Sequence, residues 1–225
     1  MPRYALTNVA DKVAKPKRRD AKRAAFPVSQ VPTVLRLAAA GSDDPDLDTM
    51  LVKFHLVTGA RQEGALNLTR RMLDPARGDV VLDEKNDKTE RQPVPDWFLA
   101  ELIAFADERG AVEPDAPVFR KFQRSGTYAP IGRRRYNYLF QRIQAASEFA
   151  DNIQLSAHTL RHCAGTYIRQ AADPDVAKAF LRHAETDVTG TYTKATRAEV
   201  VAAVLAVWGG SHPDAPTLAV GGEVA

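Results

Sequence analysis

Six side chains whose types suit chemistry lie in four short segments of the sequence. They are Arg61, Lys85, His158, Arg161, His183 and Tyr192. Arginine holds a planar fork of donors that fits an oxyanion, and histidine titrates near physiological pH. Lysine can donate a proton, and a tyrosine hydroxyl can act as a nucleophile when the site assists it. These residue types suit group transfer at an oxyanion, if the fold brings the four segments together.

Each of these residues, taken singly, also has an ordinary structural explanation. Arg61 could pair with an acid on the surface, and a lysine at a hairpin tip such as Lys85 usually faces solvent. His158 and Arg161 are one helical turn apart and could form a polar helix face. Tyr192 could pack at the edge of the core with its hydroxyl directed outward.

A metal site is the weakest interpretation of the histidines. His158 and His162 are four residues apart, a spacing that also occurs in metal sites. The glutamate of an HExxH motif is missing, and no carboxylate or cysteine set stands nearby at ligand spacing. The single cysteine, Cys163, excludes an internal disulfide framework and any multi-cysteine zinc or iron–sulfur site. We therefore expect no metal.

The elements that must position these segments are mostly helical. Apolar spacing, capping residues and helix breakers predict helices that begin near Pro32, Pro45, Gln62, Pro95, Gly132, Ala157, Pro174, Asp187 and Arg197. Between them, short extended runs over 68–73, 79–83 and 89–94 are separated by turn residues. The sequence therefore predicts an α+β fold, mostly α-helical with a small three-stranded antiparallel sheet, and a loop after residue 114.

The composition bounds the class of protein. The chain has 225 residues, 44% of them hydrophobic and 26% charged, close to the average of soluble globular proteins. The N-terminus lacks an apolar stretch of signal-peptide length, and no segment reaches the roughly 18 apolar residues of a membrane span. We expect a soluble, cytoplasmic protein with no membrane contact, divided into a basic arm (1–30), one domain (31–210) and a disordered tail (211–225).

The net charge of +3 is small but unevenly spread. Residues 1–30 hold eight lysines and arginines against two acids, and residues 120–142 hold seven basic residues and no acid. Such asymmetry indicates a polyanion partner, or else a solvated tail and one basic helix face. Charge alone leaves both interpretations open.

Four motifs taken together resemble the catalytic domain of the tyrosine recombinases, the phage integrase family of site-specific DNA recombinases. They read TGARQEGALNL, EKNDKTERQPVP, HTLRH and LRHAETDVTGTYTK. They match the family's Thr-Gly-x-Arg box, its hairpin lysine before a strand ending in Val-Pro, its His-x-Leu-Arg-His box, and its Leu-Gly-His box with a tyrosine nine residues later. The order and approximate separations match as well, over about residues 30–210.

The resemblance implies the fold of that catalytic domain and site-specific DNA recombination by transesterification. Tyr192 would attack a scissile phosphodiester and form a 3′-phosphotyrosyl enzyme with a free 5′-hydroxyl. A 5′-hydroxyl of the partner strand would then reverse the step. A covalent ester preserves the bond energy, so neither ATP nor a metal or other cofactor is required.

The resemblance also implies roles for the other five residues. Arg61 and Arg161 would stabilise the charge of the transition state. Lys85 would be the acid for the 5′-oxygen leaving group. His158 would be a proton acceptor or phosphate ligand, and His183 a hydrogen-bond donor to a non-bridging oxygen.

The partner implied by the resemblance is a double-stranded DNA attachment site, bound by a homotetramer that is monomeric in free solution. Four basic residues are candidates for contacts to the DNA backbone, namely Arg133, Arg134, Arg135 and Lys88. Phosphate contacts of this kind give affinity and salt dependence but do not choose a sequence. The last helix, near 200–208, either docks on a neighbouring protomer or packs on its own core.

The chain departs from the family pattern at four points. Glu63 stands one residue earlier than the usual acid, and Arg182 replaces the usual glycine before His183. The hairpin has one extra residue, so Lys88 competes with Lys85 as the catalytic lysine, and we favour Lys85. We expect no counterpart of the family's N-terminal core-binding domain within these 225 residues.

Two other functions stay open from the sequence. The chain could be a DNA-binding or regulatory fragment that does no chemistry without the core-binding domain. It could also be a type IB topoisomerase-like enzyme, which uses the same tyrosine chemistry to relax DNA. A recombinase and a topoisomerase would both form the covalent adduct, and only a recombinase would exchange strands between molecules.

Overall fold

The computed structural model describes residues 25–84, 88–146, 154–182 and 195–216. The helices are α1 (Val31–Ala39), α2 (Pro45–Thr58), α3 (Gln62–Leu66), α4 (Asp96–Glu108), α5 (Arg133–Ala146), α6 (Ala157–Ala171), α7 (Pro174–Phe180) and α8 (Arg197–Trp208). The strands are β1 (Leu73–Asp74), β2 (Asp79–Glu84), β3 (Lys88–Pro93), β4 (Arg120–Phe122) and β5 (Tyr128–Pro130). The predicted fold class, mostly helical with a small three-stranded antiparallel sheet, is confirmed.

None of the described helices is both long enough and apolar enough to cross a membrane. The short helix predicted to begin near Asp187 lies outside the described residues.

Short polar side chains fix the ends of the helices that carry the site. Asp44 caps α2 by accepting a hydrogen bond from the Leu47 amide at 3.2 Å, and Gly59, at φ 59°, ends that helix. Ser156 caps α6 by accepting from the Thr159 amide at 3.1 Å. These oxygens satisfy amides that a helix leaves without an internal partner. The predicted starts of α2 and α6 are therefore confirmed.

The three-stranded sheet is a meander in the order β1-β2-β3. β2 and β3 pair antiparallel, from Asp79 opposite Pro93 to Glu84 opposite Lys88. Residues 85–87, which include Lys85 and connect the two strands, lie outside the described residues.

The first strand is shorter than predicted. Only Leu73–Asp74 pairs with β2, although the extended run was expected to begin at residue 68. Arg70–Met72 forms a 3₁₀ turn instead, and the amides of Arg70 and Arg71 donate to carbonyls of the segment that follows α4. The backbone groups of this stretch are therefore satisfied by a loop rather than by a strand.

A second hairpin stands where the sequence predicts a loop. β4 and β5 pair antiparallel, with Arg120 opposite Pro130 and Phe122 opposite Tyr128. The rings of Phe122 and Tyr128 meet edge to face with their centroids 5.2 Å apart. Strands of three residues are too short to show the alternation that identifies a strand in a sequence.

The core has two parts that meet along α6. The larger part surrounds α2, which packs against α1 and α6 and buries Leu47, Leu51 and Phe54 completely. The smaller part joins α6 to α7 and α8 through residues such as Phe180 and Val204. Of the two alternatives for the last helix, the structure therefore shows the one in which it packs on its own core.

A buried ion cluster fixes α5 against α2. Asp48, which has no exposed surface, accepts bonds from Arg135 and Arg142 at 2.7 Å and from the Ser42 hydroxyl at 2.7 Å. Arg135 also contacts Asp43 at 2.5 Å. A carboxylate can be buried at little cost only when cations and donors surround it, so this cluster specifies how the two helices pack.

The chain is packed on the core before the predicted start of the domain. Phe26 is buried, and the Tyr167 hydroxyl on α6 donates to its carbonyl at 2.7 Å. The rings of the two residues meet edge to face, with centroids 6.4 Å apart. The predicted boundary at residue 30 is therefore too late. Residues 1–24, which make up most of the predicted basic arm, lie outside the described residues.

The predicted tail also begins too early in the sequence. The Ser211 hydroxyl donates to Asp96 at 2.7 Å, and buried His212 contacts the Gly78 carbonyl at 3.1 Å. These contacts hold the segment after α8 against α4 and the sheet. A disordered tail from residue 211 is therefore wrong for the described residues 211–216, and residues 217–225 lie outside the description.

Candidate active site

The Thr58–Arg61 turn links α2 to α3. The Thr58 hydroxyl donates to the Phe54 carbonyl at 2.6 Å and accepts from the Ala60 amide at 3.1 Å. Gly59 has a positive φ of 59°, and a Cβ there would lie 2.8 Å from the Phe180 ring. Both the backbone angle and the close packing require glycine at this position. The turn therefore places Arg61 at the N-cap of α3, partly exposed.

A buried chain of hydrogen bonds supports this turn from below. His55 Nδ1 lies 2.9 Å from the Ala60 carbonyl, and its Nε2 lies 3.1 Å from the Tyr136 hydroxyl on α5. Because a carbonyl can only accept, Nδ1 carries the proton and Nε2 accepts from the tyrosine. This series of hydrogen bonds ends at Ala60, the residue before Arg61, so α5 helps to set the position of that arginine.

Arg161 joins the second box to the first. Its side chain is buried in α6, at 4% exposure, although guanidinium groups usually face solvent. Nη1 donates to the Gly59 carbonyl, and Nη2 donates to the Leu181 carbonyl at the end of α7. One guanidinium thus ties the Thr58–Arg61 turn to the segment that leads into His183.

His158 lies one turn before Arg161 on α6 and is exposed. Side chains three residues apart lie on the same face of a helix, so His158 stands on the solvent side of buried Arg161. His162 is exposed as well, whereas Cys163 is buried and its thiol pKa is raised to about 11 by burial. The cysteine is therefore a packing residue rather than a reactive one.

Arg182, immediately before His183, is folded back onto the site. Its Nη1 donates to the Thr58 carbonyl at 3.1 Å, to the Phe180 carbonyl at 2.9 Å and to the Gln92 Oε1 atom on β3. Its Nη2 donates to the Gly59 carbonyl at 3.1 Å. Its φ of 53° is the only positive value at a non-glycine residue among the described residues. A glycine is the residue expected for such a backbone, so an arginine here is unusual.

The other three candidate residues lie outside the described residues. Lys85 belongs to residues 85–87, between β2 and β3 in the sequence, and His183 and Tyr192 belong to residues 183–194. Lys88, the competing lysine, begins β3 opposite Glu84 in the hairpin. Their roles therefore stay predictions, whereas Leu181 and Arg182 place the start of the last segment beside Arg161.

The candidates for DNA-backbone contact differ in their surroundings. The Arg133 side chain is 71% exposed and pairs with Glu63 at 2.8 Å, and Arg134 is exposed. Arg135 is only 7% exposed because it neutralises Asp48 in the cluster between α2 and α5. We therefore keep Arg133 and Arg134 as candidates and withdraw Arg135, whose guanidinium is committed to the core.

The arrangement concentrates positive charge beside one turn. Two guanidinium groups, those of Arg161 and Arg182, share the Gly59 carbonyl, which lies two residues before Arg61. Fixed cations of this kind attract an anion, and their planar forks match the oxygens of a phosphodiester. No group of three or more His, Cys, Asp or Glu side chains suited to a metal occurs among the residues that the structure describes.

The sequence did not indicate four residues that support this site. Arg182 stood out as a departure from the family pattern, but its contacts with β3 and the Thr58–Arg61 turn carry no sequence signal. Gln92, His55 and Tyr136 have side chains of ordinary type in elements whose apolar pattern predicts only burial. Their roles depend on contacts between residues far apart in the chain.

Comparison with protein families gives a match to the phage integrase family over residues 26–199. The solved structures that match include the integrase of the Tn1549 transposon in complex with transposon right-end DNA, at 14% identity and a TM-score of 0.58, with 80% of this chain and 63% of that chain covered. The integrase from mycobacterium phage Brujita matches at 19% identity and a TM-score of 0.56, with 88% and 62% covered. XerA recombinase matches at 16% identity and a TM-score of 0.54, with 76% and 59% covered.

These similarities at low identity concern the fold. No curated protein matches the chain. The chain spans about three fifths of the length of these solved proteins.

Proposed function

Because the chain belongs to the phage integrase family, we propose that it cleaves and rejoins DNA at specific sites as a tyrosine recombinase. The observation that carries this proposal is the buried guanidinium of Arg161. It contacts the Thr58–Arg61 turn through Gly59 and the residues before His183 through Leu181. Three motifs that are far apart in the sequence therefore meet at one side chain.

The proposed reaction exchanges one phosphate ester for another. The Tyr192 hydroxyl attacks the scissile phosphorus, the bond from phosphorus to the 5′-oxygen breaks, and a 3′-phosphotyrosyl enzyme forms. The leaving 5′-oxygen takes a proton, for which Lys85 is our candidate donor. A 5′-hydroxyl of a partner strand then attacks the phosphotyrosyl bond and releases Tyr192. The number of ester bonds is conserved, so the exchange needs no input of ATP.

The two arginines supply the electrostatic part of the reaction. Negative charge builds on the non-bridging oxygens as the phosphorus becomes five-coordinate, and preorganised cations stabilise that charge. Burial removes Arg161 from competing water, which strengthens its interaction with an anion. Arg61, which is partly exposed at the N-cap of α3, could approach the same phosphate from the solvent side. We assign His158 as the proton acceptor or phosphate ligand and His183 as a donor to a non-bridging oxygen.

DNA is the proposed partner. The exposed arginines Arg133 and Arg134 begin α5, and Glu63 pairs with Arg133 beside the turn that carries Arg61. We propose that this edge faces the DNA backbone, with Lys88 on the hairpin and the basic residues of the 1–24 segment adding phosphate contacts. Assembly as a tetramer on DNA is part of the same proposal. Affinity should then fall steeply with salt.

The test captures the covalent intermediate. The protein is incubated with a pool of nicked duplexes that carry a randomised central segment, and adducts that survive SDS are collected and sequenced. The nick lets the short 5′-ended fragment diffuse away, so the adduct accumulates. We expect an adduct with the unmodified protein and with Tyr128→Phe, the matched control, and none with Tyr192→Phe. An adduct that survives Tyr192→Phe contradicts the proposed nucleophile.

The second candidate function is a DNA-binding fragment that does not cleave alone. It applies to these residues when they are assayed by themselves, because the chain spans about three fifths of the solved proteins it matches. This function predicts salt-sensitive DNA binding without an adduct in the same assay. Fusing the N-terminal part of a related integrase to the chain should then restore the adduct.

A further inference from the structure

We infer that Arg182 is a positioning residue that holds three segments of the site in one register. The segments are the Thr58–Arg61 turn, the hairpin of β2 and β3, and the end of α7 before His183. The importance of these segments rests on the proposed function, whereas the contacts themselves do not.

The contacts of Arg182 reach each of the three segments. The guanidinium donates to the carbonyls of Thr58 and Gly59, each at 3.1 Å, and to the Phe180 carbonyl at 2.9 Å. It also donates to the Gln92 side chain. Gln92 is 1% exposed on β3 and lies four residues after Lys88, on the strand that leaves the hairpin turn. A single side chain is thus bonded to every part of the described site except α6.

The backbone of Arg182 shows that these bonds outweigh a local cost. Its φ of 53° falls in the left-handed region, where the Cβ of any residue other than glycine crowds the following carbonyl. Such strain persists only where the surroundings over-determine the conformation. Here the hydrogen bonds of the guanidinium to four acceptors fix the conformation, so we attribute the strained backbone to these bonds. We call Arg182 with these four bonds the clamp.

Arg161 and Arg182 connect the Gly59 carbonyl to different segments of the site. Both donate to this oxygen, but only Arg182 also bonds Thr58 and Gln92. Loss of Arg182 should therefore leave the turn attached to α6 and free it from the hairpin. The consequence for catalysis is a misplaced hairpin relative to Arg61, rather than a loss of positive charge at the phosphate.

One substitution at Arg182 distinguishes a positioning role from an electrostatic role. Arg182→Lys keeps the charge but replaces the planar fork with a single ammonium group, whose three donors lie on one atom and cannot span the four acceptors that the two Nη atoms reach. If Arg182 acts by its charge on DNA, the lysine variant should behave like the unmodified protein. If it acts as a clamp, the lysine and glycine variants should fail together.

The experiment first measures amide hydrogen exchange in the protein without DNA. We expect faster exchange in peptides covering residues 56–62 and 88–94 for Arg182→Lys and Arg182→Gly, and in the same peptides for Gln92→Ala. Arg169→Lys, an exposed arginine on the last turn of α6, is the matched control and should change neither peptide. Unchanged exchange in all Arg182 variants would overturn the clamp, whatever the activity.

The second measurement is the single-turnover rate of adduct formation on a duplex captured by the unmodified protein. We expect Arg182→Lys to lower the rate at saturating DNA by about tenfold to a hundredfold, the usual cost of misplaced catalytic groups, with the half-saturating DNA concentration unchanged. A lysine variant with full rate would overturn the positioning role. If the unmodified protein forms no adduct, the proposed function fails and the exchange measurement alone decides the clamp.

Discussion

Removing one oxygen atom from the core should destabilise the protein measurably. In a Tyr136→Phe variant the ring volume is retained, but the Nε2 atom of His55 loses the hydroxyl that lies 3.1 Å away. Nδ1 carries the proton because it contacts the Ala60 carbonyl at 2.9 Å, so Nε2 is the acceptor of the bond from Tyr136 that the variant removes. Water cannot reach His55, which has no exposed surface.

The magnitude follows from the cost of losing this buried hydrogen bond. Removal of one partner of such a bond costs about 1–3 kcal/mol, so we expect the free energy of unfolding to fall by about 2 kcal/mol. For a chain of this size that loss lowers the melting temperature by about 4–8 °C. Urea unfolding followed by circular dichroism measures the free energy, and a thermal scan measures the shift.

The matched control is Tyr138→Phe, two residues along the same helix. That tyrosine is exposed, so the loss of its hydroxyl should change stability by less than about 0.5 kcal/mol. Equal stability of the two variants would refute the assigned chain from Tyr136 through His55 to Ala60. It would also remove the reason for linking α5 to the position of Arg61.

Three further predictions concern ionisable and reactive groups. Burial raises the thiol pKa of Cys163 to about 11, so this thiol should react with a thiol reagent at pH 8 far more slowly in the native protein than in urea. Equal rates would contradict the buried position of Cys163. Asp43 should titrate at a pKa of about 2 in an NMR experiment because Lys121 and Arg135 both bond its carboxylate. Because folding lowers this pKa, the contribution of Asp43 to stability is present above pH 4 and is lost as the pH falls toward 2. Lys121→Met should raise the pKa of Asp43. Asp48→Asn should lower the free energy of unfolding by about 3–5 kcal/mol because buried Arg142 loses its counter-ion and buried Arg135 keeps only Asp43. The half-exposed control Asp175→Asn should change it by less than about 1 kcal/mol.

Local signals explain why much of the helical framework could be predicted. α6 begins and ends at the predicted residues because Ser156 caps it and because its apolar face repeats at helical spacing. The start of α2 follows in the same way from Asp44 and Pro45. Each of these signals lies within one turn of the residue it specifies, so a single sequence carries it.

Contacts between distant segments explain what the sequence could not reveal. Arg134 and Arg135 are neighbours of the same type, yet one is exposed and the other is buried against Asp48. Only the packing of α5 on α2 decides between them. The same holds for Arg70–Met72, which forms a 3₁₀ turn because its amides find acceptors on the loop after α4.

The candidate site likewise has features that local motifs predict and features that depend on contacts between distant segments. The order of the motifs identified Arg61 and Arg161 as a pair, and the structure places Arg161 on the Gly59 carbonyl, two residues before Arg61. The motif did not predict that the Arg161 guanidinium donates hydrogen bonds to backbone carbonyls. Nor was the clamp formed by Arg182 and Gln92 predictable, because it depends on the hairpin register and on a left-handed backbone at one residue.

The identity of the residue linked to DNA tests the central claim most directly. The adduct is digested with nuclease and trypsin, and the peptide that retains a nucleotide is sequenced by mass spectrometry. We predict the peptide of residues 183–194, HAETDVTGTYTK, modified at Tyr192 and joined to the 3′-phosphate of the cleaved strand. A link through any other residue, or through a 5′-phosphate, would contradict the proposed mechanism.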